Sequence, residues 1–268
     1  MVAQNSVVKP ESYNFLEEIA EMFFLNTRGW YFTKMGHPGQ KQYGTDIYGS
    51  LLDDGSYIII QCKCHNDGDL TINEIQNEIS RVKELKIKVS QMYFVTSAQA
   101  DSNVQKFVME NNSGFPVSVI YWDTIEKWLL MNPEIKSLLY MNSFSMDVQV
   151  IRRFLLACIK YHIYDVLEVY DCTSYVPAKL LDEADSFEIE MDDIISRSAQ
   201  LSKDVFKDMN DFKVSYTYIM NNLACGHPDG NGYYIIVSYT AEQRDYIQQQ
   251  RQKLWNIYMK YKQVVSYN

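Results

Sequence analysis

The stretch that decides the fold of this chain runs from Gly44 to Cys64 and reads GTDIYGSLLDDGSYIIIQCKC. Two runs rich in Ile, Leu and Tyr flank the dipeptide Asp54-Gly55, and glycine tolerates the positive φ that tight hairpin turns require. The pattern therefore predicts a β-hairpin whose second strand covers residues 57–64.

Three polar side chains are expected on one face of this hairpin. Side chains alternate along a strand, so Gln61 and Lys63 point to the same side. Asp46, on the preceding strand, joins them if the strand pairing puts it on that face. Such a group can hold a hard cation on oxygen ligands with an amine beside it. The alternative is that Gln61 and Lys63 are polar positions of an edge strand and that Asp46 caps a turn.

Asp46, followed fifteen residues later by Gln61-x-Lys63 in an apolar strand, resembles the PD-(D/E)XK nuclease core. The resemblance is in particular to Mrr-like restriction endonuclease domains and to similar nuclease domains of antiphage defence proteins. Those carry a Gly-x-Asp-Ile first strand, here Gly44 to Ile47, and often Gln-x-Lys in place of Glu-x-Lys. The likeness covers residues 11 to about 141 and implies an α/β fold with a central mixed sheet flanked by helices.

The resemblance also implies an activity, that of a metal-dependent DNA endonuclease acting in restriction or antiphage defence. Asp46 would bind Mg²⁺, or Mn²⁺ in its place, and Gln61 would supply a neutral oxygen ligand. Lys63 would orient the attacking water or stabilise negative charge in the transition state. Related nucleases add a carboxylate from the first helix. Glu18, which borders the apolar face of that helix, is the first candidate and Glu17 the second; the alternative is that Glu17, Glu18 and Glu21 are all merely solvated.

Contacts with DNA are expected from the loop before the hairpin and from basic side chains close to it. The net charge of the chain is −9, and phosphate binding is chiefly electrostatic. Neither half of the chain has more basic than acidic residues, so a DNA surface must be local or assembled by oligomerisation. The predicted DNA-binding residues are Lys34, Gln40, Lys41 and Gln42. Further basic candidates are Arg28, Arg81, Lys83, Lys86 and Lys88.

Length and composition indicate a globular protein of one large or two smaller domains. The chain has 268 residues, of which 47% are hydrophobic and 22% charged, an ordinary balance for such proteins. It has no apolar run long enough for a membrane span, and its first residues lack the pattern of a secretory signal. Five cysteines without a regular framework indicate a reducing compartment. We therefore expect a cytoplasmic protein without a membrane partner.

The elements of the first half, residues 1–141, follow the order helix, hairpin, helix, strand, helix, strand, helix. Strand–helix–strand connections favour adjacent parallel strands with helices packed on the sheet. Side-chain caps mark three of the predicted helix starts: a capping box at Thr71, an Asp cap at Asp101 and a second capping box at Asp123.

The second half, residues 142–268, is predicted to be a mainly helical domain. A long helix is expected over residues 148–170, another after Pro177 and helical structure over 183–210. A short strand is expected over 233–239, followed by a last helix capped by Thr240. This half contains no catalytic constellation. We expect it to mediate oligomerisation, as a homodimer or higher oligomer, or to bind a partner protein of a defence system.

Two alternatives remain open at this stage. Cysteine and histidine side chains could form a zinc site, although the usual spacing is absent and buried packing is the simpler interpretation of the cysteines. The residues concerned are Cys62, Cys64, His65, Cys225 and His227. The second alternative is functional: a nuclease-like fold without catalysis, used for DNA binding or as an assembly subunit of a defence complex.

Overall fold

The structure is a computed structural model. It describes residues 7–28, 32–35, 42–50, 55–65, 68–141, 145–170, 172–196, 201–235 and 239–266. Within these ranges no helix has the length and apolar character that crossing a membrane demands. The chain divides into two compact units, Met1–Pro133 and Glu134–Asn268, while the sequence placed the division between residues 141 and 142. Each unit contains its own buried hydrophobic residues.

The first unit is built on a five-stranded mixed sheet. Its strands are β1 (Thr33–Lys34), β2 (Ile47–Ser50), β3 (Tyr57–Lys63), β4 (Val89–Thr96) and β5 (Val117–Ile120), and they lie side by side in chain order. Strands β1 to β3 pair antiparallel, whereas β3, β4 and β5 pair parallel. The predicted hairpin is therefore confirmed as β2–β3, although residues 51–54 of its turn lie outside the described residues.

Helices cover the two faces of this sheet. They are α1 (Tyr13–Arg28), α2 (Ile72–Lys83), α3 (Ser102–Glu110) and α4 (Trp122–Met131). On one face Phe24 of α1 packs against Tyr93 of β4, with ring centroids 4.9 Å apart. On the other face Ile75 of α2 lies in a buried cluster with Ile59 and Phe94 of the sheet. The predicted α/β architecture is thus confirmed, with β3 at its centre.

In the first unit, local capping signals succeeded at two helices and failed at a third. Thr71 forms the predicted capping box at the start of α2, and the side chain of Asp101 caps α3. The capping box predicted at Asp123 is wrong, because α4 begins one residue earlier, at Trp122, and its N-cap Tyr121 makes no side-chain cap. Asp123 instead lies in the first turn, where its charge complements the positive helix end.

The second unit is mainly helical, as expected. Its helices are α5 (Pro133–Leu139, which starts at the division), α6 (Met146–Lys160), α7 (Ala178–Ser196), α8 (Lys203–Leu223) and α9 (Ala241–Ser266). A small antiparallel sheet contains β6 (Tyr175–Pro177), β7 (His227–Pro228) and β8 (Tyr233–Ile235), with β8 in the middle.

The single long helix predicted over residues 148–170 is wrong. Helix α6 ends at Lys160, and His162 adopts a positive φ of 50°, which no α-helix accommodates. A π-helical turn follows at Asp165–Val169. The guanidinium of Arg251, from α9, donates hydrogen bonds to two carbonyls of that turn at 3.0 Å. A distant side chain thus stabilises the break, which explains why local periodicity did not predict it.

All five cysteines are free thiols. Cys62 lies buried in the first unit, while Cys158 and Cys172 lie buried in the second; Cys64 is half-buried and Cys225 is exposed. Burial raises the pKa of the Cys62 and Cys158 thiols well above the ordinary value.

Candidate functional site

The hairpin register brings Asp46 next to Gln61. The backbone nitrogen of Asp46 donates to the carbonyl of Ile60 at 3.0 Å, so the side chain of Asp46 falls opposite Gln61. Its Oδ2 atom accepts hydrogen bonds from Gln61 Nε2 at 2.6 Å and from the backbone nitrogen of Cys62 at 2.7 Å. Of the arrangements left open by the sequence, the structure shows the one in which the two side chains meet.

The amide of Gln61 is oriented by its neighbours. Its Nε2 atom donates to Asp46 and, at 3.3 Å, to the carbonyl of Cys62. Both neighbours are acceptors, so the nitrogen must face them. The Oε1 atom is then the part of the amide that remains to accept from, or coordinate, a ligand.

Burial makes the negative charge of Asp46 unfavourable. Desolvation, joined by the charge of the nearby Glu17 carboxylate, raises the pKa of its carboxyl from 3.8 to about 6. The Cys62 backbone hydrogen bond, the Lys63 charge and the Gln61 amide lower the pKa, but they do not compensate. A divalent cation would supply the missing positive charge, because an adjacent positive charge favours the ionised carboxylate.

The ammonium of Lys63 is held by a carboxylate that sequence reasoning missed. Lys63 Nζ lies 2.6 Å from Oε1 of Glu78, on helix α2. Glu78 is only 5% exposed, and both of its oxygens also accept from Arg81 Nη1 at 3.1 Å. The one carboxylate therefore binds two cationic side chains.

A signal for Glu78 was present in the sequence. Glu78 follows Ile75 by three residues and precedes Val82 by four, which puts it on the buried stripe of an amphipathic helix. A carboxylate on such a stripe requires a partner. The family resemblance implied a second carboxylate on the first helix, so the sequence prediction did not include Glu78.

Glycine at position 44 lets the hairpin approach helix α2. Gly44 has a φ of +71°, and a Cβ atom there would lie 2.8 Å from the carbonyl oxygen of Glu78 and 2.9 Å from its Oε2. Real Cβ atoms essentially never come so close to another heavy atom. The absence of a side chain at Gly44 is therefore a condition for the position of Glu78.

These side chains line one polar cavity of about 560 Å³. Its charged and amide lining residues are Glu17, Gln42, Asp46, Gln61, Lys63, Glu78 and Arg81. The carboxylate that α1 contributes is thus Glu17, the second candidate of the sequence, while Glu18, the first candidate, is not among the described lining residues. Glu17 also binds Lys34, with 3.1 Å between Lys34 Nζ and Glu17 Oε2.

Two of the residues predicted to contact DNA, Lys34 and Gln42, lie around the same region. Lys34 is exposed beside Glu17. Gln42 lines the cavity and donates from Nε2 to the carbonyl of Met35 at 3.0 Å. Gln40 and Lys41 lie outside the described residues. Their contacts with DNA stay predictions.

The donor set fits a hard cation better than zinc. Among the described residues, no group of three or more His, Cys, Asp or Glu side chains is placed to hold a metal. The cysteine and histidine residues considered for zinc do not form such a group either. Mg²⁺ needs fewer protein ligands, because it keeps several waters and is bound by one or two carboxylates together with substrate phosphate. Asp46, Gln61 and Glu17 in one cavity satisfy that requirement.

Comparison with known proteins adds no relative to this picture. The chain matches no protein-family model, no curated protein and no solved structure. Its function is therefore inferred from the geometry of the cavity and from the motif that Asp46, Gln61 and Lys63 form.

Proposed function

We propose that this protein is a metal-dependent DNA endonuclease with a PD-(D/E)XK core, acting in restriction or antiphage defence. The observation that carries the proposal is the meeting of Asp46, Gln61 and Lys63 in one polar cavity at the end of β3. The order of elements supports it as well, since a helix, an antiparallel hairpin and a parallel crossover surround that strand. The reaction is hydrolysis of a phosphodiester bond.

Asp46 and the Oε1 atom of Gln61 would hold Mg²⁺ or Mn²⁺, with Glu17 as a further carboxylate in the cavity. When bound, such a cation would supply Lewis-acid chemistry, polarising a phosphoryl oxygen and lowering the pKa of a water. The residues around it keep Asp46 in place, through the hydrogen bonds from Gln61 and from the Cys62 backbone. The negative charges of Asp46 and Glu17 in the same cavity attract the cation.

Lys63 would act on the phosphate and on the attacking water. Its ammonium donates hydrogen bonds and stabilises negative charge as that charge develops on the phosphoryl oxygens. The 2.6 Å contact with Glu78 fixes the position of Nζ before substrate arrives. Because such groups act from a fixed position, no reorganisation is required at the moment of reaction.

Plasmid cleavage tests the proposal. Supercoiled plasmid is incubated with Mg²⁺ and the parent protein, or with Asp46→Asn or Lys63→Ala. Matched controls are Asp123→Asn and Lys106→Ala, which remove the same charges at exposed positions of the same unit. We expect nicked or linear DNA from the parent and both controls, and at least ~100-fold slower cleavage from the two site variants. Undiminished cleavage by Asp46→Asn, or in excess EDTA, would place the chemistry elsewhere.

A second candidate function is non-catalytic DNA binding by a nuclease-like fold, or service as an assembly subunit. The observation that favours it is the ion pair between Lys63 and Glu78, which already engages the ammonium that catalysis would use. DNA binding without cleavage, across a range of Mg²⁺ and Mn²⁺ concentrations, would support this function over the first.

A further inference from the structure

One wall of the cavity carries two cations around a single carboxylate. Lys63 and Arg81 both contact Glu78, at 2.6 Å and 3.1 Å. Two positive charges and one negative charge leave this wall with a net charge of +1. Glu78 is buried, so its charge acts on the two cations at short range while they line the cavity.

Arg81 has hydrogen-bonding capacity to spare. Its contacts with Glu78 use only Nη1, and across the described part of the chain Nε and Nη2 have no protein acceptor. The side chain is 59% exposed, so it reaches solvent at the cavity. A guanidinium presents its donors in a planar fork that matches the oxygens of a phosphate group.

Besides Glu78, the carboxylates that line the cavity are Glu17 and Asp46. Glu17 and Asp46 interact with each other electrostatically, and their mutual repulsion contributes to the raised pKa of Asp46. The cavity thus has a cation-attracting part around Asp46 and a cationic part around Arg81. A phosphodiester backbone needs both: a metal at one oxygen and cationic side chains at others or at the next phosphate.

We propose that Lys63 and Arg81, held together by Glu78, form a binding subsite for a backbone phosphate of duplex DNA. The subsite rests on the proposed function, because it specifies how that cavity would hold its substrate. Arg81 contributes the free donors and Lys63 the second charge. Glu78 positions both cations, and Gly44 provides the space that Glu78 occupies.

Metal-free DNA binding tests this subsite without requiring cleavage. The probe is a fluorescein-labelled duplex of about 20 base pairs, a length chosen to exceed a typical protein footprint. Its affinity is measured by fluorescence anisotropy in EDTA over a series of salt concentrations. The variants are Arg81→Ala, Arg81→Lys and, as a control, Lys106→Ala. Lys106 is an exposed cation of the same unit and does not line the cavity.

We expect Arg81→Ala to weaken binding about tenfold at low salt and to reduce the slope of log K against log salt by about 0.9, the value for one phosphate contact. Arg81→Lys should keep the slope of the parent, because it keeps the charge. Lys106→Ala should change affinity by less than about twofold, as expected of a cation that meets no phosphate. Melting temperatures of all variants, compared with the parent, report whether each is folded.

Equal affinities of Arg81→Ala and Lys106→Ala would overturn the subsite, as would a parent protein that does not bind the duplex. Plasmid cleavage by the same variants separates the two proposals. If Arg81→Ala binds and cleaves like the parent, the subsite is wrong and the nuclease proposal stands. If Arg81→Ala loses affinity as expected while no protein cleaves, the subsite is supported and the nuclease proposal is wrong.

Discussion

Asp46 is a buried carboxyl whose ionisation weakens the folded state. Its pKa is raised from 3.8 to about 6 by burial, so the unfolded chain loses this proton at lower pH than the folded chain does. Below about pH 4 both states are protonated and the carboxyl has no effect. As pH rises from about 4 to about 6, the folded state is progressively destabilised. Above about pH 6 the loss in the free energy of unfolding reaches its full value of about 3 kcal/mol.

Asp46→Asn should therefore stabilise the protein in the absence of metal while it abolishes cleavage. An amide keeps the shape and one acceptor but carries no charge to desolvate. We expect a gain of about 1–3 kcal/mol in the free energy of unfolding at pH 8 and no gain near pH 3.5. Denaturant unfolding in EDTA at the two pH values measures it. A less stable variant at pH 8 would contradict the assignment of a penalty to this carboxyl.

Gln61 is expected to act through its Oε1 atom. Gln61→Glu puts a second carboxylate beside Asp46, so the pair should take up either a proton or a cation more readily. Tighter Mg²⁺ binding should follow, because hard cations prefer anionic oxygen, with activity within about tenfold of the parent, roughly 1.4 kcal/mol in barrier height. Gln61→Leu offers no oxygen and should lose most activity. Metal titrations of the cleavage rate measure both effects, and parental cleavage by Gln61→Leu would exclude Gln61 as a ligand.

Alanine substitutions at Gly44 and Gly55 can be compared to test how tightly the hairpin packs against Glu78. Both have a positive φ, of 71° and 66°, but only at Gly44 would a Cβ atom meet other atoms. Gly55→Ala should cost about 1 kcal/mol of unfolding free energy, from backbone strain alone. Gly44→Ala should cost at least about 2 kcal/mol more, from overpacking against a backbone carbonyl. Equal losses in denaturant unfolding would show that Glu78 and its helix move aside freely.

At the scale of elements, helix α2 is more than a cover for the sheet. It packs Ile75 into the core and, three residues later, presents Glu78 to Lys63 of β3. The ion pair joins the helix to the strand that carries the proposed catalytic residues. Through this contact a change in α2 would reach the site.

Glu78→Gln tests that role with a readout that simple structural damage would not give. An amide can bind only one of the two cations well, so Lys63 should lose its fixed position and kcat should fall at least about tenfold. Removal of a negative charge from the cavity should leave KM for DNA unchanged or lower. Steady-state cleavage kinetics measure the two constants. A higher KM with parental kcat would show that Glu78 serves substrate binding rather than the placement of Lys63.

Local signals in the sequence were sufficient for the elements that local chemistry determines. The β2–β3 hairpin, the Thr71 capping box and the cap at Asp101 depend on neighbouring residues, and all three occur as predicted. The end of α6 and the partner of Lys63 depend on side chains far along the chain, Arg251 and Glu78. No pattern near α6 specifies the contact with Arg251, and the buried stripe of α2 indicates that Glu78 needs a partner without naming Lys63. The sequence left the pairing of Asp46 with Gln61 open, because it depends on the register of the two strands; the structure fixes that register.

At the scale of the whole molecule, the second unit is the expected place of self-association. Exposed large apolar side chains lie along its helices and small sheet, among them Ile189, Val214, Val169, Tyr175 and Phe206. Such exposure is typical of interaction surfaces when the side chains are contiguous. We expect the full chain to sediment as a dimer or larger species and residues 1–141 as a monomer. Sedimentation velocity of the two proteins decides it, and a monomeric full chain would contradict a homo-oligomer.

The burial of the thiols gives each unit a built-in reporter of its own opening. A maleimide reagent modifies only a thiolate that it can reach, so Cys225 should react in the native state. Cys62 and Cys158 should react only when local unfolding exposes them. Mass spectrometry of the labelled peptides then gives two separate time courses, one for the sheet that carries Asp46 and one for the helices of the second unit. Added Mg²⁺ or DNA that binds near Asp46 would slow the labelling of Cys62 and leave that of Cys158 as it was.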